Sequence, residues 1–113
     1  MSDSLDLAFA ALADPTRRAI LTRLAEGEAS VTELAQPFAM SQPAISKHLK
    51  VLERAGLVET AQQGRSRPRR LSPQGIDGAR AFIEQMASYW PDRFDRLAAY
   101  LERSGEAEGN PNE

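Results

Sequence analysis

The chain has 113 residues, a length that suits a single domain with a modest core. It contains no cysteine, which excludes disulfides, iron–sulfur clusters, thiolate metal ligands and a cysteine nucleophile. No apolar run approaches the roughly 20 residues of a membrane-spanning helix, and no secretory signal pattern is present, so we expect a cytoplasmic protein without a membrane partner.

Charge is distributed unevenly along the chain, although the formal net charge is only -2. Residues 41–70 hold seven basic and two acidic side chains, a net charge of +5, while the remainder carries -7. A chain of this kind can present one cationic face, which is typical of nucleic-acid binding. The alternative is a solvated charge run without a function.

The first quarter of the chain predicts two helices. Apolar residues at helical spacing indicate an amphipathic helix over residues 3–13. Asp14 then offers a side-chain cap and Pro15 suits the first position of a second helix, which Gly27 ends.

Two further helices follow, joined by a tight turn. Ser30 and Glu33 have the spacing of a capping box and open a short third helix, which Pro37 ends. Ser41 caps a fourth helix, and Gly56 is placed to end it. The third and fourth helices together have the layout of a helix-turn-helix.

A two-stranded hairpin is predicted next, and it makes the helix-turn-helix a winged one. Residues 57–60 and 67–71 are the expected strands, and residues 62–64 are the expected turn. Pro68 cannot donate a hydrogen bond to a ladder, so we expect its strand to lie at an edge.

A long last helix is predicted to open at Ser72 and Pro73, with Pro91 kinking or restarting it. The fold class is therefore mainly α: a winged helix-turn-helix with a two-stranded β-hairpin wing and a long C-terminal dimerisation helix. We expect residues 1–103 to form a single domain for DNA binding and dimerisation, and residues 104–113 to form a flexible acidic tail.

Apolar residues of the first and last helices predict a homodimer. Five of the seven aromatic residues fall between residues 82 and 100, and one small domain has limited core to receive them. The alternative is that this stripe packs within one subunit. The predicted interface residues are Leu5, Phe9, Leu12, Phe82, Met86, Trp90, Phe94, Leu97 and Leu101.

The fourth helix sorts into an apolar and a basic face at 100° per residue. Ile45, Leu49 and Leu52 share the apolar face, whereas the opposite side holds cations and small hydrogen-bonding groups. A helix with such a face fits the major groove of DNA and a basic hairpin fits along the backbone. The predicted DNA contacts in the helix (residues 41–55) and in the basic wing (residues 62–70) are Ser41, Gln42, Pro43, Ser46, Lys47, His48, Lys50, Arg54, Arg65, Arg67 and Arg69.

Three arginines alternate in the expected hairpin, so Arg65, Arg67 and Arg69 should share one face of the strand. Phosphates would satisfy three neighbouring guanidiniums, which otherwise repel one another. The alternative is a solvated arginine edge that prevents strand pairing. Arg70 points the other way, and its role is open.

His48 is the one histidine of the chain, and it either touches a phosphate or is a packing or hydrogen-bonded residue. One histidine without cysteine does not make a metal site, and the carboxylates of the last helix do not have the spacing of an oxygen cage. No hydrolase elbow, phosphate loop or HExxH motif occurs, so we expect no cofactor and no enzymatic activity.

Four segments resemble the ArsR family of winged-helix repressors. They are residues 11–18 (ALADPTRR) followed by Ile20-Leu21, residues 33–35 (ELA), residues 40–52 (MSQPAISKHLKVL) and residues 55–58 (AGLV). The resemblance covers about residues 5–103 and implies a dimeric, mostly α-helical repressor of a palindromic operator. It also implies that Ser41, Gln42, Ser46, Lys47 and His48 occupy DNA-recognition positions.

Many members of that family release DNA when a metal binds cysteine or histidine clusters, and this chain lacks those ligands. It is similar to a cysteine-free branch, and its inducer is unknown. The expected partners are thus double-stranded DNA and a second copy of the chain. The alternatives are a regulator gated by a small molecule at the dimer interface, or a protein-interaction module built on the winged fold.

Overall fold

The computed structural model describes residues 3–108, with the side chains of residues 92, 94 and 104–108 left out. The side chain of Phe94, a predicted interface residue, therefore lies outside the description. The same holds for residues 109–113, the end of the predicted tail. The elements are α1 (Asp3–Leu12), α2 (Pro15–Leu24), α3 (Val31–Ala35), a 3-10 turn (Gln36–Phe38), α4 (Gln42–Arg54), β1 (Val58–Thr60), β2 (Arg69–Leu71) and α5 (Asp77–Glu108). This order confirms the mainly α winged helix-turn-helix.

Three predicted helix starts are confirmed by their hydrogen bonds. Asp14 Oδ2 accepts from the backbone N–H of Arg17 at 3.0 Å. Ser30 and Glu33 form both bonds of the capping box, at 2.8 and 3.1 Å. Ser41 Oγ accepts a backbone N–H in the first turn of α4 at 3.3 Å. Each bond satisfies an amide that a helix start leaves without a partner.

The core lies in a compact unit that ends at Ala79. All of its buried residues are apolar, and no polar side chain of the described residues is buried. The fully buried side chains with the largest volumes come from α2, α3 and α4: Ile20, Leu34, Ile45, Leu49 and Leu52. α4 therefore has its apolar face in the core, as predicted.

The hairpin pairs β1 with β2 in antiparallel register, from Val58 opposite Leu71 to Thr60 opposite Arg69. Arg69 also exchanges two backbone hydrogen bonds with Ala29, at 2.8 and 3.0 Å, on its other side. β2 is an edge strand of this two-stranded sheet, as predicted, although the isolated bridge to Ala29 covers it at Arg69. Pro68 precedes the strand, so its missing N–H is not needed in this ladder.

The last helix begins at Asp77 instead of Ser72, because the chain turns sharply before it. A Cβ on Gly75 would overlap the carbonyl oxygen of Gly56, so only glycine allows this approach of two backbone segments. α5 then runs through Pro91 without restarting, and its backbone stays helical to Glu108. Helical backbone thus continues past Arg103, and the flexible acidic tail over residues 104–113 stays a prediction.

Residues 80–108, which are the remaining turns of α5, belong to a second unit. No helix in the described part of the chain is long and apolar enough to cross a membrane.

Candidate nucleic-acid interface

The side of α4 that faces away from the core carries the predicted contact residues. Pro43, Lys47, Lys50 and Arg54 are exposed, and Ser46 is half-buried at the flank. With a rise of 1.5 Å per residue the helix is about 20 Å long, so its cations are spread along several phosphate spacings of a duplex. The helical wheel thus predicted this face correctly.

The cations on this face have no counter-ion within the described part of the chain. None of the salt bridges found there includes Lys47, Lys50 or Arg54. A row of cations without counter-ions on one helix face favours the binding of an external polyanion. When such cations neutralise the phosphates of a nucleic acid, the phosphates release their condensed counterions.

The N-terminus of α4 is built around Ser41 and Gln42. The hydroxyl oxygen of Ser41 is engaged as the helix cap, although its O–H can still donate. The Gln42 side chain is exposed, and its Nε2 donates to Thr32 Oγ1 of α3 at 3.1 Å. Residues at this end of a recognition helix are the ones that reach base edges.

The turn between α3 and α4 contains a left-handed residue, Ala39, with φ of 52°. Non-glycine residues adopt this conformation infrequently, and here it reverses the chain between the 3-10 turn and the cap at Ser41. The turn therefore sets the angle at which α4 leaves α3.

The tip of the wing is a two-residue turn formed by Gly64 and Arg65, between the bridge residues Gln63 and Ser66. Gly64 has φ of 61°, as the first central position of a type II′ turn requires. Arg65 therefore lies in the turn, and Arg67 lies between the bridge and β2. The prediction that they alternate along one strand with Arg69 is wrong, because the turn falls later than residues 62–64. Both side chains are exposed.

Arg69 differs from these two arginines because it has a carboxylate partner. Its Nε lies 3.3 Å from Glu53 Oε2, within salt-bridge distance but outside hydrogen-bond geometry, and its side chain is 19% exposed. Glu53 also accepts from the hydroxyl of Thr60. Arg69 therefore has an anion within its own chain, and its contact with DNA stays a prediction. Arg70 is paired as well, with Glu59 at 2.7 Å.

His48 faces the start of α2 and contacts it. Its Nδ1 lies 3.4 Å from an Arg17 guanidinium nitrogen and 4.0 Å from Asp14 Oδ2. Arg17 also donates to the carbonyls of Ala10 and Ala11, which closes the end of α1. The backbone N–H of Arg17 holds the pKa of Asp14 below its usual value, with a smaller contribution from the Arg17 charge. These polar contacts match the interpretation of His48 as a hydrogen-bonded residue, and its contact with a phosphate stays a prediction.

The predicted dimer residues fall into two groups. Leu5, Phe9 and Leu12 of α1 pack partly against the core of their own chain. On α5 the predicted residues Phe82, Trp90, Leu97 and Leu101 are between 41 and 57% exposed, whereas Met86 is half-buried. The surplus apolar surface is therefore concentrated on α5.

Three residues that position the site were missed from the sequence: Thr32, Arg17 and Glu53. Each acts across 10 or more residues of chain, on Gln42, His48 and Arg69 respectively. Helical periodicity contains no signal for such contacts. In the described part of the chain, no group of three histidine, aspartate or glutamate residues is arranged to hold a metal ion.

Comparison with known proteins places this geometry among DNA-binding regulators. A family model described as a helix-turn-helix domain matches residues 12–61, from the end of α1 to just past β1. The HTH-type transcriptional regulator Rv2034 of Mycobacterium tuberculosis is 40% identical over 103 residues, which cover 91% of this chain and 94% of that protein.

Two solved structures share the fold. A crystal structure described as the ArsR family transcriptional regulator RHA00566 is 40% identical, with a TM-score of 0.70 over 79% of this chain and 98% of that one. The solution structure of Mb0332 from Mycobacterium bovis, described as a homodimeric winged helix-turn-helix DNA-binding domain, is 29% identical. Its TM-score is 0.63 over 76% of this chain and 80% of that one.

Proposed function

The chain belongs to the ArsR family of winged helix-turn-helix transcriptional regulators, and from this premise we propose that it represses transcription as a homodimer bound to a palindromic operator. Members of the family are DNA-binding regulators and not enzymes. A repressor of this kind acts where the DNA is, so we place it in the cytoplasm.

The observation that carries the proposal is the outward face of α4. This face exposes Lys47, Lys50 and Arg54, which have no counter-ion among the described residues. The wing likewise exposes Arg65 and Arg67 without a salt-bridge partner among those residues. A duplex supplies phosphates to both surfaces at once.

The contact residues divide into two kinds. Gln42, Ser46 and Lys47 read base edges from the major groove, and Lys50, Arg54, Arg65 and Arg67 neutralise phosphates. Pro43 and the Ser41 hydroxyl lie at the helix start and face the backbone of the same groove. His48 and Arg69 have partners inside the chain, so in this proposal they align α4 and the wing in addition to any contact with DNA.

The exposed apolar residues of α5 support dimerisation. Trp90 and Leu97 are each more than half exposed, and a second copy of α5 would remove them from water. Two copies would also present two recognition helices to the two halves of a palindrome.

Fluorescence anisotropy tests the proposal. The probes are a duplex from upstream of the gene, a duplex selected by the protein from a random library, and a shuffled duplex, at about 150 mM salt. We expect the upstream and selected duplexes to bind about a thousandfold more tightly than the shuffled one. Lys47→Ala should reduce this preference, whereas Arg80→Ala, which removes an exposed arginine paired with Glu84, should not.

Equal, weak and salt-sensitive binding of all three duplexes contradicts the proposal. It would favour the protein-interaction module, in which the basic face serves only solubility.

A second candidate function, gating by a small molecule, is favoured by a pocket on α5. Met86, Tyr89, Trp90 and Arg93 line a surface pocket of about 450 Å³. Aromatic walls beside a guanidinium suit an aromatic anion. A ligand of this site should raise the melting temperature and release the selected duplex, and Arg93→Ala should abolish both effects. A screen of aromatic acids that changes neither quantity argues against this candidate.

A further inference from the structure

A hydrogen bond joins the starts of the two helices of the helix-turn-helix. Thr32 is exposed in the first turn of α3, and its Oγ1 accepts from Nε2 of Gln42, the first residue of α4, at 3.1 Å. These side chains lie ten residues apart in the chain and on the surface that faces DNA in the proposed function.

Both ends of this bond rest on rigid elements. The capping box of Ser30 and Glu33 fixes the turn that carries Thr32, and the Ser41 cap fixes the turn that carries Gln42. Beneath them Leu34 of α3 and Ile45 of α4 are fully buried. The threonine side chain is β-branched and has few rotamers, so the position of its hydroxyl oxygen is well defined.

The bond leaves a defined set of groups on the Gln42 amide. The amide has two N–H donors and one carbonyl acceptor, and Thr32 takes one donor. One N–H and the carbonyl remain for a partner. Adenine offers the matching pair in the major groove, since its N7 accepts and its N6 amino group donates.

We propose that Thr32 is a positioning residue that determines specificity, because it holds the Gln42 amide in the orientation that reads adenine. The inference rests on the proposed function, in which α4 enters the major groove. A free glutamine side chain loses rotamer entropy when it binds, and it can also turn its amide to present two donors. The hydrogen bond to Thr32 immobilises the Gln42 side chain before DNA binds. The entropy loss on binding is then smaller, and the alternative amide orientation is disfavoured.

The experiment compares Thr32→Val, which removes the hydroxyl at nearly the same shape, with Thr32→Ser, which keeps it. Each substitution is made in the wild-type chain and in a Gln42→Ala background. Three kinds of duplex are the probes. The first is the duplex that the wild-type protein selects from a random library, and the second is a set of its variants, in each of which one base pair is replaced at the equivalent position of both half-sites. The third is a shuffled duplex.

We expect Gln42→Ala to identify one base pair at which discrimination is lost, and that pair to be A·T. Thr32→Val should reduce discrimination at that same pair about 3- to 10-fold, leaving binding of the shuffled duplex and the salt slope unchanged. Thr32→Ser should behave as the wild type. In the Gln42→Ala background Thr32→Val should have no further effect.

Several results would overturn the proposal. If Thr32→Val keeps full discrimination at this base pair, Thr32 is an inert residue. If Thr32→Val causes an equal loss of discrimination in the Gln42→Ala background, Thr32 is a separate contact to DNA. A G·C pair at the position read by Gln42 would mean that the amide presents two donors. A lower melting temperature of Thr32→Val, with equal loss on every duplex, would assign the hydroxyl to folding.

These failures are distinct from failure of the proposed function. If the wild-type protein selects no duplex over shuffled DNA, the proposed function itself falls, and the inference about Thr32 falls with it.

Discussion

The unit that ends at Ala79 and the part of α5 that follows it differ in the solvent exposure of their apolar side chains. In the first unit the core side chains of α2, α3 and α4 are buried, as Ile20 and Leu34 at 0% exposure show, and Leu7 of α1 is an exception at 41%. In the second, Trp90 and Leu97 are 53 and 51% exposed. The chain thus places similar side chains in two opposite environments.

The difference indicates which part of the molecule is complete as a single chain. The first unit has an apolar core, side-chain caps at the starts of α2, α3 and α4, and no buried polar side chain among its described residues, so its core is enclosed within one chain. The exposed apolar stripe of α5 has no such enclosure. Apolar surface of this kind marks an interaction site in a soluble protein.

The largest effect is expected from a truncation in the enclosed unit. Ile20→Ala removes a fully buried side chain and leaves a cavity, so the free energy of unfolding should fall by about 2–5 kcal/mol. Urea unfolding followed by circular dichroism measures it. Ala19 is exposed on the same helix, so Ala19→Ser is the matched control and should change the unfolding midpoint little. A small loss for Ile20→Ala would contradict the enclosed core.

A truncation on α5 should act on association instead. Trp90→Ala removes a large exposed aromatic side chain, and we expect the dimer dissociation constant to rise by about 30-fold or more, with the circular dichroism spectrum of the monomer retained. Sedimentation velocity over a concentration series measures this constant. Ala98→Ser is the control on the same helix. An unchanged dissociation constant would remove Trp90 from the interface.

The approach of Gly75 to Gly56 gives a third test inside the enclosed unit. Gly75→Ala forces two backbone segments apart, and we expect a loss of about 1–3 kcal/mol in the free energy of unfolding. Gly78 meets no atom within 4 Å, so Gly78→Ala should be neutral or slightly stabilising in α5. Equal effects of the two substitutions would show that the close approach is unimportant.

Two wing arginines extend the comparison from apolar groups to charges. Arg67 has no carboxylate partner among the described residues, whereas Arg70 is paired with Glu59. We expect Arg67→Ala to lower the slope of log affinity against log salt by about one unit per subunit, and Arg70→Ala to lower it less. Anisotropy titrations at several salt concentrations measure both slopes. Equal slopes for Arg67→Ala and the wild type would exclude Arg67 from the DNA contact.

The smallest effect concerns the capping carboxylates of the enclosed unit. Backbone N–H groups lower the pKa of Asp14 below 3.8 and that of Glu33 below 4.5, the first through Arg17 and the second through Ser30. A carboxyl whose pKa is lower in the folded state contributes stability above its unfolded pKa and loses it as pH falls through the folded pKa. Stability should therefore decline below about pH 4.5.

Asparagine at position 14 still caps a helix but does not titrate, so Asp14→Asn combined with Glu33→Gln is the matched variant. The decline in unfolding midpoint between pH 5 and pH 3 should be smaller in this variant than in the wild type. An identical decline would show that other carboxyls govern acid unfolding.

Most of the fold could be predicted because its signals are local. Asp14, Ser30 and Ser41 each cap a helix by bonding an amide three residues ahead, and a spacing of three can be read from sequence. The apolar face of α4 follows from helical periodicity in the same way. The basic face that forms the candidate site was therefore also predictable.

The rest could not be predicted, because it depends on contacts between distant residues. The start of α5 depends on the approach of Gly75 to Gly56, which no spacing rule contains. The roles of Arg65 and Arg69 depend on where the hairpin turns and on Glu53, a residue of α4. Periodicity placed these arginines on one strand face because it contains no information on where the turn falls.

The paired backbone bonds between Ala29 and Arg69 have a consequence for the order of folding. They close a loop of roughly 40 residues that contains α3, α4 and β1, and closing such a loop costs about 3 kcal/mol of chain entropy by the logarithmic rule. Local helices form before a closure of this length. The helix α4 and the wing are then held within one closed loop. The surface proposed to contact DNA should therefore gain its fixed shape in a single late step.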